Sequence, residues 1–250
     1  MKILFAPMEG IAHWLYRSAQ HACFDGADEY FLPFWSPRGQ SLTHREQADV
    51  LPENNAGMKA VPQILSNSSE DFLWAADKLK ALGYEEVNIN LGCPSGTVVR
   101  KHRGAGLLAY PEELERFLDV VFEKTPVAVS LKTRLGMESP EEWPALLELF
   151  NRYPARRLIL HPRSRAEQYG GSPHREWYDY TLRESKLPVC YNGDLFTAEA
   201  LREFERRYPG TESVMCGRGF LYHPGLVNLY NGKTESVESL RRFHQMLYDG

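Results

Sequence analysis

The stretch Val87-Asn88-Ile89-Asn90-Leu91-Gly92-Cys93-Pro94-Ser95-Gly96 reads as a short apolar strand running into a cysteine held between a glycine and a proline. Gly92 lets the backbone turn sharply, while Pro94 fixes its own φ and pushes Cys93 toward extended backbone. The next residues are basic at Arg100, Lys101 and Arg103, then glycine-rich at Gly104 and Gly106. A thiol on a stiff turn at a strand end can be aimed at a ligand. The plainer alternative is a small buried hydrophobe, the usual fate of a free cysteine.

Outward from this stretch, apolar strand patterns alternate with amphipathic helical ones. Strands are expected at Ile3–Ala6, Glu29–Leu32, Ala60–Ile64, Glu86–Asn90, Val127–Lys132, Arg157–His161, Pro188–Tyr191 and Ser213–Cys216. Several are apolar at consecutive positions, as in parallel strands covered on both faces. Helices are expected at Ile11–Phe24, Ser69–Leu82 (capped by Ser68 or Ser69), Pro111–Lys124, Pro140–Tyr153, Arg175–Glu184 and Thr197–Tyr208. Residues 34–59 read as irregular. Strands alternating with helices give βα units and a parallel sheet, and eight units in 250 residues have the size of a (β/α)8 barrel of the TIM type. A doubly wound sheet would carry a dinucleotide fingerprint after an early strand, and this sequence has none. The barrel is placed at residues 1–232, with a C-terminal helix, Ser236–Tyr248, in residues 233–250.

Composition bounds the function. A net charge of −4 argues against a wholly nucleic-acid-coated surface, while Arg100/Lys101/Arg103 and Arg163/Arg165 form local basic clusters. No apolar run reaches the ~18–20 residues of a membrane span. The apolar N-terminal run is too short for a signal peptide and reads as a first strand. Cys23, Cys93, Cys190 and Cys216 are widely spaced without a zinc pattern, which suits reduced thiols in a cytosolic protein and no metal site.

In a barrel, chemistry belongs at the C-terminal ends of the strands. Those ends carry Pro7-Met8, Gln63, Asn90 with Cys93, Lys132, His161 with Arg163, Asn192-Gly193-Asp194 and Gly217-Arg218-Gly219. Lys132 could be a rim residue or a cation for developing negative charge. His161 could be a core histidine. Gln63 and Asn192 carry both donor and acceptor, the equipment for a heteroaromatic edge. Glycine-bearing loops after strands seven and eight are a common phosphate site, where Arg218 supplies a cationic fork. Together these groups suggest a phosphorylated planar cofactor, flavin or pyridoxal.

The ordered motifs resemble those of the tRNA-dihydrouridine synthases, a family of FMN-dependent barrel enzymes. Ala6-Pro7-Met8-Glu9-Gly10 is similar to the family's APMxG, Asn88 through Pro94 to its NxNxGCP signature, and Gly104-Ala105-Gly106-Leu107-Leu108 to the segment that follows. His161-Pro162-Arg163-Ser164-Arg165 with Gln168-Tyr169-Gly170-Gly171 resembles HxRxR…QxYxG. Tyr191-Asn192-Gly193-Asp194 and Met215-Cys216-Gly217-Arg218-Gly219 resemble the NGD and GRG motifs. The resemblance covers roughly residues 3–225.

It implies that Pro7 and Met8 line the FMN ring, that Gln63, Lys132 and His161 contact it, and that Asn192, Asp194, Gly217 and Arg218 hold the ribityl chain and phosphate. Asn90 would hold the target uracil, with Arg163 and Arg165 on the RNA. Cys93 would protonate C5 of uridine while hydride reaches C6, and NADPH would supply the electrons. An ordinary thiol, with a pKa of ~8.5, is mostly protonated at neutral pH and suits that role. An FMN barrel acting on a small pyrimidine or enone, and a non-catalytic flavin-binding barrel, are the alternatives.

Three departures stand out. Pro162 replaces the glycine that usually follows the histidine, which implies a stiffer loop. Phe34-Trp35-Ser36-Pro37-Arg38-Gly39 is unlike the usual second-strand region. Family members normally continue into a helical tRNA-gripping domain, whereas this sequence ends within one predicted helix, so a shortened chain or a barrel-only relative is expected.

Overall fold

A computed structural model describes residues 1–37, 41 and 43–249; Arg38 and Gly39 of the atypical segment lie outside the described residues. The strands are β1 (Lys2–Phe5), β2 (Glu29–Phe31), β3 (Ala60–Val61), β4 (Gln63–Ile64), β5 (Glu86–Leu91), β6 (Ala128–Arg134), β7 (Leu158–His161), β8 (Val189–Tyr191) and β9 (Ser213–Cys216). Pairing is parallel, helices intervene along the chain, and the fold is a (β/α)8 barrel with a C-terminal helix, Val237–Asp249. Among the described residues nine strands fill eight positions, because Pro62, which has no N–H, divides the expected strand Ala60–Ile64. Its first half pairs with β2 (Tyr30↔Ala60) and its second with β5 (Gln63↔Asn88).

The chain forms two compact units. The first comprises Met1–Pro33, Thr43–Val61 and the chain from Asp194 onward, with strand order β3-β2-β1-β9. The buried Phe5 ring packs on Tyr30 and Phe220, with centroids 5.4 and 4.7 Å away. The expected helix Ile11–Phe24 begins only at Trp14, because Ile11 and Ala12 donate their N–H groups to the Met8 carbonyl in a preceding turn. The C-terminal helix buries Phe243 against Tyr16 and Phe24.

The irregular reading of residues 34–59 is corrected at its second half. His44–Val50 is a helix whose cap, Thr43, accepts from the Glu46 N–H while the Glu46 carboxylate accepts from the Thr43 N–H, and a 3₁₀ turn follows at Pro52–Asn55. Arg17 fastens this segment. It is fully buried and donates to the carbonyls of Ala12 and Asp49, to Asn55 Oδ1 at 2.9 Å and to Asp49 Oδ1 at 3.2 Å. Asp49 also accepts the Trp14 N–H at 2.6 Å.

The second unit comprises Pro62–Gly193 with the segment from Phe34, in strand order β8-β7-β6-β5-β4. Its sheet has two unlike faces, because side chains alternate along a strand. Val87, Ile89, Leu91, Val129 and Leu131 lie on one face, buried as are Phe72, Leu114, Phe117 and Leu118 of the helices Ser69–Ala81 and Pro111–Lys124. Asn88, Asn90, Ser130, Lys132 and Arg134 alternate with them on the other. Ser68 caps its helix by accepting the Asp71 N–H. The expected helix Pro140–Tyr153 is a 3₁₀ turn, Pro140–Glu142, followed by the helix Trp143–Phe150, with Pro144 in its first turn.

Arg17→Ala leaves the buried Asp49 carboxylate with the Trp14 N–H but without its cation. We expect a loss of about 3–5 kcal/mol, read as a lowered urea midpoint at unchanged slope.

Candidate active site

The second unit carries the thiol. Past β5 the backbone turns, and Asn90 Oδ1 accepts the N–H of Gly92 at 3.1 Å and of Cys93 at 2.9 Å. The Gly92 carbonyl accepts from Arg134 Nε at 2.9 Å, and the Cys93 carbonyl accepts the Ala105 N–H at 3.1 Å. Gly104 holds a left-handed φ of +56°, and a Cβ there would stand 3.0 Å from Cys93 Cβ. Glycine is thus required at 104 twice over. The Cys93 side chain is partly exposed and forms no disulfide.

Across the sheet Asn90 is in register with Lys132. Among the described residues Lys132 has no hydrogen-bond or ion-pair partner. Its pKa is lowered to about 8, chiefly by loss of water and then by the Arg134 charge, against the opposing pull of Cys190 and Cys93. Lys132 is half-buried, so its ammonium is partly desolvated yet still reachable from outside the protein. Gln63 is fully buried between two amides: it accepts from Asn90 Nδ2 and donates to Asn88 Oδ1, each at 2.7 Å.

His161 ends β7, and Arg163 lies in the loop that follows. Arg163 is fully buried, donates to the carbonyls of Gly170 and Gly171 at 3.0 and 2.6 Å, and meets His161 Nε2 at 3.1 Å. Because a guanidinium only donates, Nε2 accepts and the imidazole proton is assigned to Nδ1. Arg163, expected on the substrate, is therefore engaged in the loop's own backbone. Arg165, by contrast, has a buried Nε without a hydrogen-bond partner. Arg134, fully buried too, donates to the carbonyls of Ser164 and Gln168 and packs 5.2 Å from the ring centroid of Tyr169, which is 55% exposed. Burial lowers the pKa of Arg134. The loop closes at His174, whose N–H reaches the Pro162 carbonyl and whose ring lies 2.6 Å from Glu167 and 3.0 Å from Glu176. Burial pulls the His174 pKa down, but the two carboxylates outweigh it and the net shift is upward. At the end of β8, the N–H of Asn192 reaches the Leu160 carbonyl, and the Tyr191 hydroxyl occupies the space where a Cβ at Gly193 would fall.

The first unit carries the other strand ends. A Cβ on Gly217 would meet Met8 Sδ at 3.2 Å, so the backbone after β9 lies close against Met8, and Pro7 precedes it at the end of β1. Arg218 donates to Asp194 Oδ1 at 2.6 Å and packs over the ring of Phe196 at 4.7 Å.

Asn88, Ser130 and Arg134 were missed as site residues by sequence reasoning. Their signal was present: polar residues at every second position of Asn88–Asn90 and Ser130–Lys132–Arg134, alternating with the apolar Val87, Ile89, Leu91, Val129 and Leu131.

A model of the dihydrouridine synthase (Dus) family matches residues 4–248. The chain is 36% identical over 230 residues to "Probable tRNA-dihydrouridine synthase 1" of Synechocystis sp., across 90% of this chain and 63% of that protein. It is 30% identical over 240 residues to tRNA-dihydrouridine(16) synthase of Ralstonia nicotianae, across 93% and 73%. The chain thus spans 63–73% of the length of these two relatives. In fold alone it is similar to histamine dehydrogenase from Rhizobium sp. 4-9, with a TM-score of 0.66 at 12% identity over 98% of this chain and 49% of that one. N-(5'-phosphoribosyl)anthranilate isomerase from Pyrococcus furiosus gives 0.54 at 15% identity over 98% and 99%.

The His174 contacts carry a sign. A raised folded-state pKa stabilises fully below the unfolded value of 6.5 and ceases to do so as pH rises through the folded value. The melting temperature of wild type relative to His174→Gln should therefore be highest in acid and converge above that pKa, as measured by calorimetry from about pH 5.5 to 9.

Proposed function

Because the chain belongs to the dihydrouridine synthase family, we propose that it is an FMN-dependent oxidoreductase that reduces the C5–C6 double bond of uridine in tRNA, with NADPH as electron donor. The observation that carries this reading is a thiol on a turn fixed by Asn90, in a sheet where the register partner of Asn90 is the unpartnered ammonium of Lys132.

The residues present fit a flavin mononucleotide. Arg218 adds a cation at the start of the helix that follows Gly217. In this reading Gly217, Arg218, Asp194 and Asn192 take the phosphate and ribityl chain, Pro7 and Met8 line the ring, and Gln63, Lys132 and His161 meet its polar edge. A partly desolvated ammonium facing no carboxylate gains from any negative charge that develops on a bound ring. Reduced FMN, when bound, supplies the hydride that C6 of the uracil receives.

Cys93 then gives its Sγ proton to C5, and the thiolate left behind is reprotonated from water. The Lys132 charge favours that thiolate, since the two groups attract when both are ionised. Asn90 aims the thiol by holding its turn, and the second hydrogen on its Nδ2 is the group it offers the uracil. In this reading Arg165, whose side chain is partly exposed, takes an RNA phosphate. Arg163 acts through the loop it holds.

The target base has to leave its stack, at a cost of a few kcal/mol, to be read by such a strand-end site. A cytoplasmic location follows from the proposed substrate, and no helix among the described residues is long and apolar enough to cross a membrane.

Purified protein loaded with FMN should oxidise NADPH and form dihydrouridine on unmodified tRNA, scored by mass spectrometry of the digested RNA. Cys93→Ala should retain FMN while losing about 10²-fold or more in product formation. Turnover of free uridine with none on tRNA would move the assignment to a small-pyrimidine reductase, and failure to take up FMN would overturn it.

A further inference from the structure

Four side chains link the Cys93 turn to the middle of β6. Asn90 Nδ2 donates to Gln63 Oε1 at 2.7 Å, Gln63 Nε2 to Asn88 Oδ1 at 2.7 Å, and Asn88 Nδ2 to Ser130 Oγ at 2.9 Å. Gln63, Asn88 and Ser130 are in register across β4, β5 and β6, all fully buried, and Asn90 is 7% exposed. Solvent does not compete for these bonds.

The row has one allowed direction. The N–H groups of Gly92 and Cys93 demand an acceptor, so Asn90 must turn its oxygen to them and its NH₂ to Gln63. Gln63 must then show its oxygen to Asn90 and its NH₂ to Asn88, and Asn88 its oxygen to Gln63 and its NH₂ to Ser130. Reversing any one carboxamide sets donor against donor. The row closes only on a group that accepts, and the Ser130 hydroxyl does so.

Without that oxygen, Asn88 Nδ2–H is buried and unpaired, a state that costs about 1–3 kcal/mol. Relieving it by turning Asn88 over passes the mismatch through Gln63 to Asn90. There it meets the two N–H groups that hold the cysteine.

From this geometry we propose that Ser130 and Asn88 are positioning residues for Cys93: they fix the orientation of the Asn90 carboxamide and, through it, the aim of the thiol. This rests on the reading of Cys93 as the proton donor. The closing experiment therefore also reads the thiol itself, independently of turnover.

Ser130→Ala removes the acceptor, whereas Ser130→Thr keeps it and adds a methyl group. In FMN-loaded protein, alkylation of Cys93 by iodoacetamide, followed on its own peptide by mass spectrometry, should change at least threefold in Ser130→Ala and stay within twofold of wild type in Ser130→Thr. With unmodified tRNA, kcat should fall about tenfold in the alanine variant at unchanged KM, and be restored in the threonine variant. If Ser130→Ala leaves Cys93 alkylation and kcat at wild-type values, the proposal is overturned. Equal defects in both variants would make the effect one of packing, and loss of FMN uptake in the alanine variant alone would assign the row to the cofactor; either result also overturns it. Altered alkylation in a protein inactive even as wild type would refute the proposed reaction and leave the positioning intact.

Discussion

One carboxamide oxygen, Asn90 Oδ1, accepts the two backbone N–H groups of the turn that bears Cys93. A chain leaving a buried parallel strand loses its ladder partners at once, and its polar groups must be satisfied some other way. Here both sides of the turn are served. The N–H side falls to Asn90, while the carbonyl side falls to Arg134 and the Ala105 N–H. The turn keeps a fixed shape because none of these partners can move independently: Asn90 is locked by the buried amide row, Arg134 by two further carbonyls, and Ala105 by the left-handed Gly104 beside it.

Buried guanidinium groups organise the other irregular segments. Arg17 stitches the helix Trp14–Cys23 to the backbone of Asp49 and to Asn55, and Arg134 and Arg163 bind carbonyls of the loop after β7. The planar fork suits this use, since one side chain offers five donors in a fixed arrangement to carbonyls that have left regular structure. The cost is desolvation of a charge, which appears in the lowered pKa of Arg134. The loop after β7 is fastened at its base by these cations and at its end by His174 between two carboxylates, and it leaves the Tyr169 ring outward.

Strand and helix positions were legible because their causes are local. Apolar runs bounded by glycine and proline gave every strand to within about two residues, and Ser68 and Thr197 cap their helices as short polar side chains do. The helix His44–Val50 escaped because seven residues carry too little periodicity to read, and its support comes from Arg17, remote in sequence. Arg163 was picked out by the motif it shares with a family, while the carbonyls of Gly170 and Gly171 that it also engages were not visible in the sequence.

By itself the sequence determined the βα alternation and the placing of a cysteine, a lysine and a histidine at strand ends, all consequences of side-chain period and backbone restriction. Only the tertiary structure decided what those groups can do. Register across β4, β5 and β6 aligned the buried amides that orient Asn90, and partial burial lowered the pKa of Lys132. The physical reason is that hydrogen-bond direction and desolvation belong to neighbours brought together by folding, and a side chain's identity specifies neither. The stretch around Cys93 announces a thiol on a turn; the residues that aim it lie on three strands.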